Sequence, residues 1–292
     1  MEYLWAFYAL LSALFTALLL LISEHYKQSG IGFLAIIRLG TALTVLPFVF
    51  FVEWPTEPLF YAYGALAYIF FSMSDILIFR VSATHGAGVL SRFIPLTAIV
   101  SFVVWLALDG ATRQHYLENP WLALGVVACL CAIVFCMSFL RACEVSVAAF
   151  KVILPALVLI PLGGICTKLA FDLTELSSAA LVILFVGSFI GLLTYSALYK
   201  FIPSVKQSFV MDKTVVKAGI ICSIFATLLI YTGNLSFDAV SNPAYATAVS
   251  FTSAIWILLA YKLMGKQDSA RILPGLGIVV FTALLVILSG RI

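Results

Sequence analysis

The stretch GALAYIFFSMSDILIFRVSATHGAGVLSRFIPLTAIVSFVVWLAL, residues 64–108, decides how the rest of the chain is read. It holds two apolar runs, the first carrying an acid, Asp75, and the second a base, Arg92, followed by the helix-breaking Pro95. A helix needs about 20 apolar residues to cross roughly 30 Å of hydrocarbon. Asp75 lies well inside a run of that length, where an unpaired ionised carboxylate is costly. It must be paired, protonated or in contact with water.

Such runs recur throughout a chain of 292 residues that is 64% hydrophobic and 10% charged. Ten spans are predicted, at 3–22, 33–52, 59–79, 89–108, 120–140, 145–169, 179–199, 218–237, 244–263 and 272–289. The runs are continuous rather than alternating, so they read as helices and not as barrel strands. The expected fold is therefore an all-α membrane protein. A soluble fold would need all-round hydrophobic helices with no polar face and loops of a few residues, which excludes it. Met1-Glu2 lacks the positive region of a signal peptide, so the first run is expected to stay as a span. The six cysteines lie in or at the ends of spans and read as small hydrophobes, with neither disulfide nor metal site expected.

Orientation follows from the sixteen Lys and Arg residues. Assigned to the nearest loop, thirteen fall with the odd-numbered connections, and only Arg113, Lys168 and Arg291 fall on the side of the termini. The positive-inside rule then puts the odd loops in the cytoplasm and both termini outside, in a bacterial inner (plasma) membrane.

Five spans followed by five invite a test for repetition, because an odd-numbered half duplicated in tandem inserts upside down relative to its twin. Gly64, Tyr68, Ser72, Asp75 and Phe79 form one helical stripe, and Ser223, Thr227, Tyr231, Asn234 and Asp238 repeat its spacing on the eighth span. The fourth and ninth spans each follow a short loop of small residues, His85-Gly86-Ala87-Gly88 and Ser241-Asn242-Pro243-Ala244, and each ends near a glycine turn, at Gly110 and Gly265. The expected organisation is two inverted five-helix repeats, 1–141 and 142–292, forming one membrane domain.

With its ten short-looped helices, the stretch from His85 to Gly110, and the tail from Pro243 through Gly265-Lys266-Gln267-Asp268 to Gly275-Leu276-Gly277, the chain resembles the EamA-type members of the drug/metabolite transporter superfamily. Members often close the fourth and ninth spans with Gly-Glu, where this chain has Asp109-Gly110 and Gly265-Lys266. The resemblance implies a secondary carrier of small organic metabolites or drugs, expected to act as an exporter. It would work by alternating access through a central cavity between the repeats.

Two readings stand for Asp75. It is either a proton or cation site coupled to substrate movement, or a structural ion pair with Arg38, Arg80 or Arg92. Arg38, Arg92 and Lys151 also lie within spans, close enough to the cytoplasmic ends to snorkel, and together they would attract an anionic group. Asp75 and Asn234 are expected at inner and outer gates respectively, with Ser72, Tyr68 and Tyr231 on the same polar stripes. Aromatic faces hold apolar or cationic substrates, which adds Trp256 and Tyr8, although Tyr8 equally fits an interfacial belt. Pro155, Pro161, Gly163 and Gly164 make the sixth span a kinked or interrupted helix, and discontinuous helices line carrier sites. Gly187 and Gly191 give the seventh span a close-packing face.

No His-Glu-x-x-His and no phosphate-cradling glycine loop occurs, so neither an enzyme nor a primary pump is expected. No cofactor is expected. The expected partners are a small-molecule substrate, anionic on the balance of charge, protons as the coupling ion and the lipid bilayer, with the chain either a monomer or a homodimer; nucleic acid is not among them. The rival readings are a flippase for a lipid-linked or nucleotide-linked substrate and a membrane-embedded enzyme.

Overall fold

In lipid, every backbone N–H and C=O needs a partner within its own segment, and the apolar runs of this chain accordingly fold as helices. The computed structural model describes residues 3–26, 28, 30–85, 94–140, 147–207, 209–265 and 272–290. The helices are α1 (Leu4–Tyr26), α2 (Ile31–Val49), α3 (Pro58–His85), α4 (Leu96–Leu108), α5 (Gly110–Glu118), α6 (Pro120–Phe139), α7 (Val147–Phe171), α8 (Ala179–Phe201), α9 (Pro203–Gln207), α10 (Lys213–Ala239), α11 (Pro243–Ser250), α12 (Ser253–Leu263) and α13 (Ile272–Ser289). There is no strand among the described residues.

Eight of the described helical segments are long and apolar enough to cross a membrane, taking Pro243–Leu263 (α11 and α12) as one of them. The number rises to nine if the bent pair α4–α5 counts as one span; α13 is apolar but shorter. Large hydrophobic side chains cover the outside of the bundle, among them Phe51, Trp121 and Leu263 at 83–90% exposure. Such a surface belongs in hydrocarbon, and the chain is an integral membrane protein.

Residue chemistry sets the helix ends. The Asp212 side chain accepts from the Val215 N–H at 2.7 Å and caps α10, satisfying a donor that the first helical turn leaves free. Asp109 caps α5 in the same way, accepting from the N–H groups of Ala111 and Thr112 at 3.2 Å each. This cap lies at the corner where the chain turns by 98° between α4 and α5. Gly30, just before α2, has φ 145°, a conformation that a side chain would strain.

The bundle has two distinguishable ends. The Tyr3 hydroxyl lies 2.8 Å from where a Cβ on Gly290 would stand, so both chain ends share one face, here termed the terminal face. Ser178 Oγ donates to the Glu53 carbonyl (2.6 Å) and Lys168 Nζ to the Asp238 carbonyl (3.3 Å) on that face. The far ends of α1 and α12 meet on the opposite face, where the Tyr261 hydroxyl donates to the Glu24 carboxylate.

The most extensive pairings are α3 along α7, α1 along α10, α2 with α10, α6 with α13, α2 with α8, and α3 with α8. Small residues bring the parallel pair α2 and α10 close: a Cβ on Gly40 would stand 2.4 Å from Ser223 Oγ, and one on Gly219 2.5 Å from Ile36. This is the small-residue approach that associates helices in membranes, where no hydrophobic force drives them together.

Of the two alternatives for the sixth span, kinked or interrupted, α7 removes the second. Pro155 and Pro161 lie inside it without interrupting it, and it runs on to Phe171. Its glycines serve packing instead: a Cβ on Gly163 would come 2.7 Å from the Phe71 ring of α3, and one on Gly164 3.3 Å from Phe237 of α10. Contact with α3 along most of its length supports α7 across the lost proline N–H groups.

Candidate functional site

Tyr68, Ser72 and Asp75 share one face of α3 because they are spaced by four and three residues. Gly187, Gly191 and Tyr195 share one face of α8, spaced by four and four. The two helices run parallel and these faces meet rung by rung. The Tyr68 ring lies over Gly187, 2.2 Å from where a Cβ would stand; Ser72 Oγ lies over Gly191, at 3.0 Å; and the Tyr195 hydroxyl donates to Asp75 Oδ2 at 3.1 Å.

Arg38 enters the same space from α2. Its Nη2 donates to Asp75 Oδ2 at 3.0 Å, forming an ion pair between apolar spans. Its Cζ stands 5.3 Å from the centre of the Tyr68 ring, a cation–π contact, and its Nε lies 3.3 Å from the Gly191 Cβ position. The pair is asymmetric. The Arg38 side chain is 8% exposed and that of Asp75 29%, so the carboxylate has an edge on open space and the guanidinium does not. Two hydroxyls in the cluster are buried without a hydrogen-bond partner among the described residues, those of Tyr68 and Ser72. Ser72 lies beside Tyr195, and the Tyr68 hydroxyl comes near the Asn234 amide without meeting hydrogen-bond geometry.

Of the residues singled out by sequence, Asp75, Arg38, Tyr68 and Ser72 come together, and of the three candidate partners for Asp75 the structure shows Arg38. Arg92 lies outside the described residues, as does the Arg80 side chain. Asn234 is buried nearer the terminal face, where its Nδ2 donates to the Ala180 carbonyl at 3.2 Å. Tyr231 is half-buried against Val45, Val49 and Leu184. Lys151 is exposed, Trp256 is 39% exposed and Tyr8 is half-buried; none of the three joins the cluster. Pro95 immediately precedes α4. In the sequence Tyr195 is one aromatic residue among many in the spans. Its spacing from Gly187 and Gly191 is the signal that marks it as the end of a contact face.

A second space opens toward the terminal face. It has a volume of about 580 Å³ and is lined by residues that include Trp105, Asp109, His115, Lys168, Asp172 and Ser241. Lys168 Nζ pairs there with Asp172 Oδ1 at 2.7 Å.

Comparison with known proteins gives no match, either to a protein-family model or to a curated sequence.

Proposed function

We propose that the chain is a secondary carrier of small organic molecules, working by alternating access between two inverted five-helix halves, in the manner of the EamA-type transporters it resembles. The observation that carries this reading is the Arg38–Asp75 pair. Desolvating two charges is expensive, and apolar side chains of similar volume often stabilise an interior as well or better. A pair kept between spans, with its carboxylate edge open and Tyr195 of the other half bound to it, fits a group that changes partners. It serves stability poorly.

The pairing pattern supports the two inverted halves. Counting α4 with α5, and α11 with α12, as single spans and leaving out the five-residue α9 gives ten. Exchanging each span for the one five positions on converts the α3–α7 contact into α10–α1 and the α3–α8 contact into α10–α2. The α4–α7 contact becomes that of α11 and α12 with α1, while α2–α8, α4–α11 and α6–α13 map onto themselves. An axis in the membrane plane relating two halves gives this pattern. The terminal-face cavity lies between residues of both halves, Trp105 to His115 from one and Lys168 to Ser241 from the other. An opening at one face, with a polar clasp toward the other, is the asymmetry that alternating access requires of any single state. The direction proposed is export, with protons as the coupling ion and both termini outside.

Disulfide trapping tests the gates. In a background lacking the native cysteines, Ser72→Cys with Gly191→Cys would lock the clasp, and Ser12→Cys with Gly233→Cys would lock the two halves together beside Asn234. Each disulfide is expected to abolish solute uptake, with recovery on reduction. If both form fully while uptake stays at its reduced level, these contacts are not gates.

A further inference from the structure

Three observations on the clasp concern what it binds. A guanidinium carries five N–H donors in a planar fork suited to oxyanions; among the described residues the hydrogen bond that Arg38 makes with good geometry runs to a single oxygen of Asp75, with the Tyr195 hydroxyl beside the guanidinium. Buried polar groups are nearly always satisfied, yet the hydroxyls of Tyr68 and Ser72, at 1% and 0% exposure, have no partner among the described residues. The residue facing Arg38 and Ser72 across α8 is Gly191, and even a methyl group there would come within 3.0 Å of Ser72 Oγ and 3.3 Å of Arg38 Nε. A structural ion pair requires neither the orphan hydroxyls nor the missing side chain.

We infer that Arg38 and Ser72 receive the oxyanion group of a small organic anion, a carboxylate or a phosphate ester, that Tyr68 meets a second polar group of the same ligand, and that Asp75 is the internal stand-in occupying the guanidinium when the site is empty. The inference rests on the carrier reading and names its substrate class. Binding is an exchange of partners: the ligand oxyanion takes Arg38, and Asp75 swings to the open space its edge already reaches. The Arg38 charge therefore stays compensated in both states, and no buried cation is left alone. Tyr195 remains as a donor to the displaced carboxylate.

The arrangement makes Asp75 a competitor of the ligand, which gives the inference a distinctive consequence. Asp75→Asn removes the competing charge and should tighten anion binding by roughly tenfold or more, the factor that corresponds to about 1.4 kcal/mol. Ser72→Ala and Tyr68→Phe should each weaken binding by about tenfold, the scale of a hydrogen bond to a charged group, while the unfolding temperature of the empty protein stays unchanged, since among the described residues neither hydroxyl has a partner in hydrogen-bond geometry to lose. Gly191→Ala should weaken binding by crowding the space between Ser72 and Arg38.

The experiment uses the full chain purified in detergent. Unfolding temperature is followed against inorganic phosphate, succinate and chloride at constant ionic strength, with a separate arm of mixed micelles containing phosphatidylglycerol. A ligand that binds only the folded chain raises the unfolding temperature by an amount set by its concentration relative to its dissociation constant. The expected result is stabilisation by phosphate or succinate but not by chloride, at roughly tenfold lower concentration in Asp75→Asn, and lost in Arg38→Gln. If phosphatidylglycerol alone gives the same dependence on Arg38 and Asp75, the oxyanion is that of a lipid headgroup.

The inference is overturned if none of the anions stabilises either the wild type or folded Asp75→Asn, or if Ser72→Ala and Tyr68→Phe leave anion binding unchanged. Should Arg38→Gln fail to fold, these two variants decide the matter. Uptake that depends on Asp75 without any such anion response would defeat this inference and leave the carrier standing. Anion binding with no uptake would do the reverse.

Discussion

Asp75 and Arg38 compensate one another, so their worth is best measured as a coupling. Stripping one partner from a fully buried pair costs about 3–5 kcal/mol. Asp75→Asn strands a guanidinium that is 8% exposed, whereas Arg38→Gln strands a carboxylate whose side chain is 29% exposed and less enclosed. The first substitution should lower the unfolding free energy by about 3 kcal/mol and the second by about half that. The double variant should be destabilised by at least about 1 kcal/mol less than the sum. Chemical denaturation of the four proteins in one detergent checks this; additive losses would mean that the charges do not interact. The sequence already marked Asp75 as a group needing compensation, because hydrocarbon tolerates no lone carboxylate. It left three arginines in contention, since a partner 37 residues away in the chain leaves no spacing to read. Tyr195 was less legible still. Tyrosine is common in membrane helices, and only its register with Gly187 and Gly191 distinguishes it.

Helices as elements were the most legible part, because the apolar run that hydrocarbon demands is long and continuous. Their ends were less so. α3 was expected to end at 79 and continues to His85, and α10 begins at Lys213, five residues earlier than expected. A span keeps its helical bonds beyond the apolar run, where hydropathy no longer reports it, and for α10 the Asp212 cap fixes the start. α5 escaped altogether. Its sequence, GATRQHYLE, is polar and reads as a connection, yet the Asp109 cap and the burial of Thr112 and Tyr116 make it a helix turned 98° from α4. Asp109→Ala should therefore lower stability by about 1 kcal/mol, with Asp109→Asn retaining part of it; thermal unfolding of both variants checks the cap. The α3–α8 face makes a stronger demand. The Tyr68 ring occupies the place of a Gly187 side chain, so Gly187→Ala forces the helices or the ring to move and should cost about 2 kcal/mol or more. An unaltered denaturation midpoint would show that the two faces do not meet in this register.

At the scale of the whole molecule, membrane insertion was readable from composition alone, whereas the relation between halves was not. Identity between them is poor, because residues facing lipid are held only to being apolar. The repeated spacing of Gly64 to Phe79 and Ser223 to Asp238 was the visible trace. The exchange of α3–α7 for α10–α1, and of α3–α8 for α10–α2, is the contact pattern on which the proposed inverted repeat rests. In the repeated spacing Asn234 takes the place of Asp75, and among the described residues it bonds a backbone carbonyl rather than a charged partner. The carrier reading proposed above assigns the coupling of movement to protons to Asp75, the acid of the Arg38 pair. The most direct test is uptake of a metabolite panel, weighted toward carboxylates and phosphate esters, by the purified chain in liposomes with and without an imposed pH gradient. At least one solute should accumulate under the gradient with the wild type and fall to the level of empty vesicles with Asp75→Asn. Uptake indistinguishable among wild type, Asp75→Asn and empty vesicles across the panel would contradict the account.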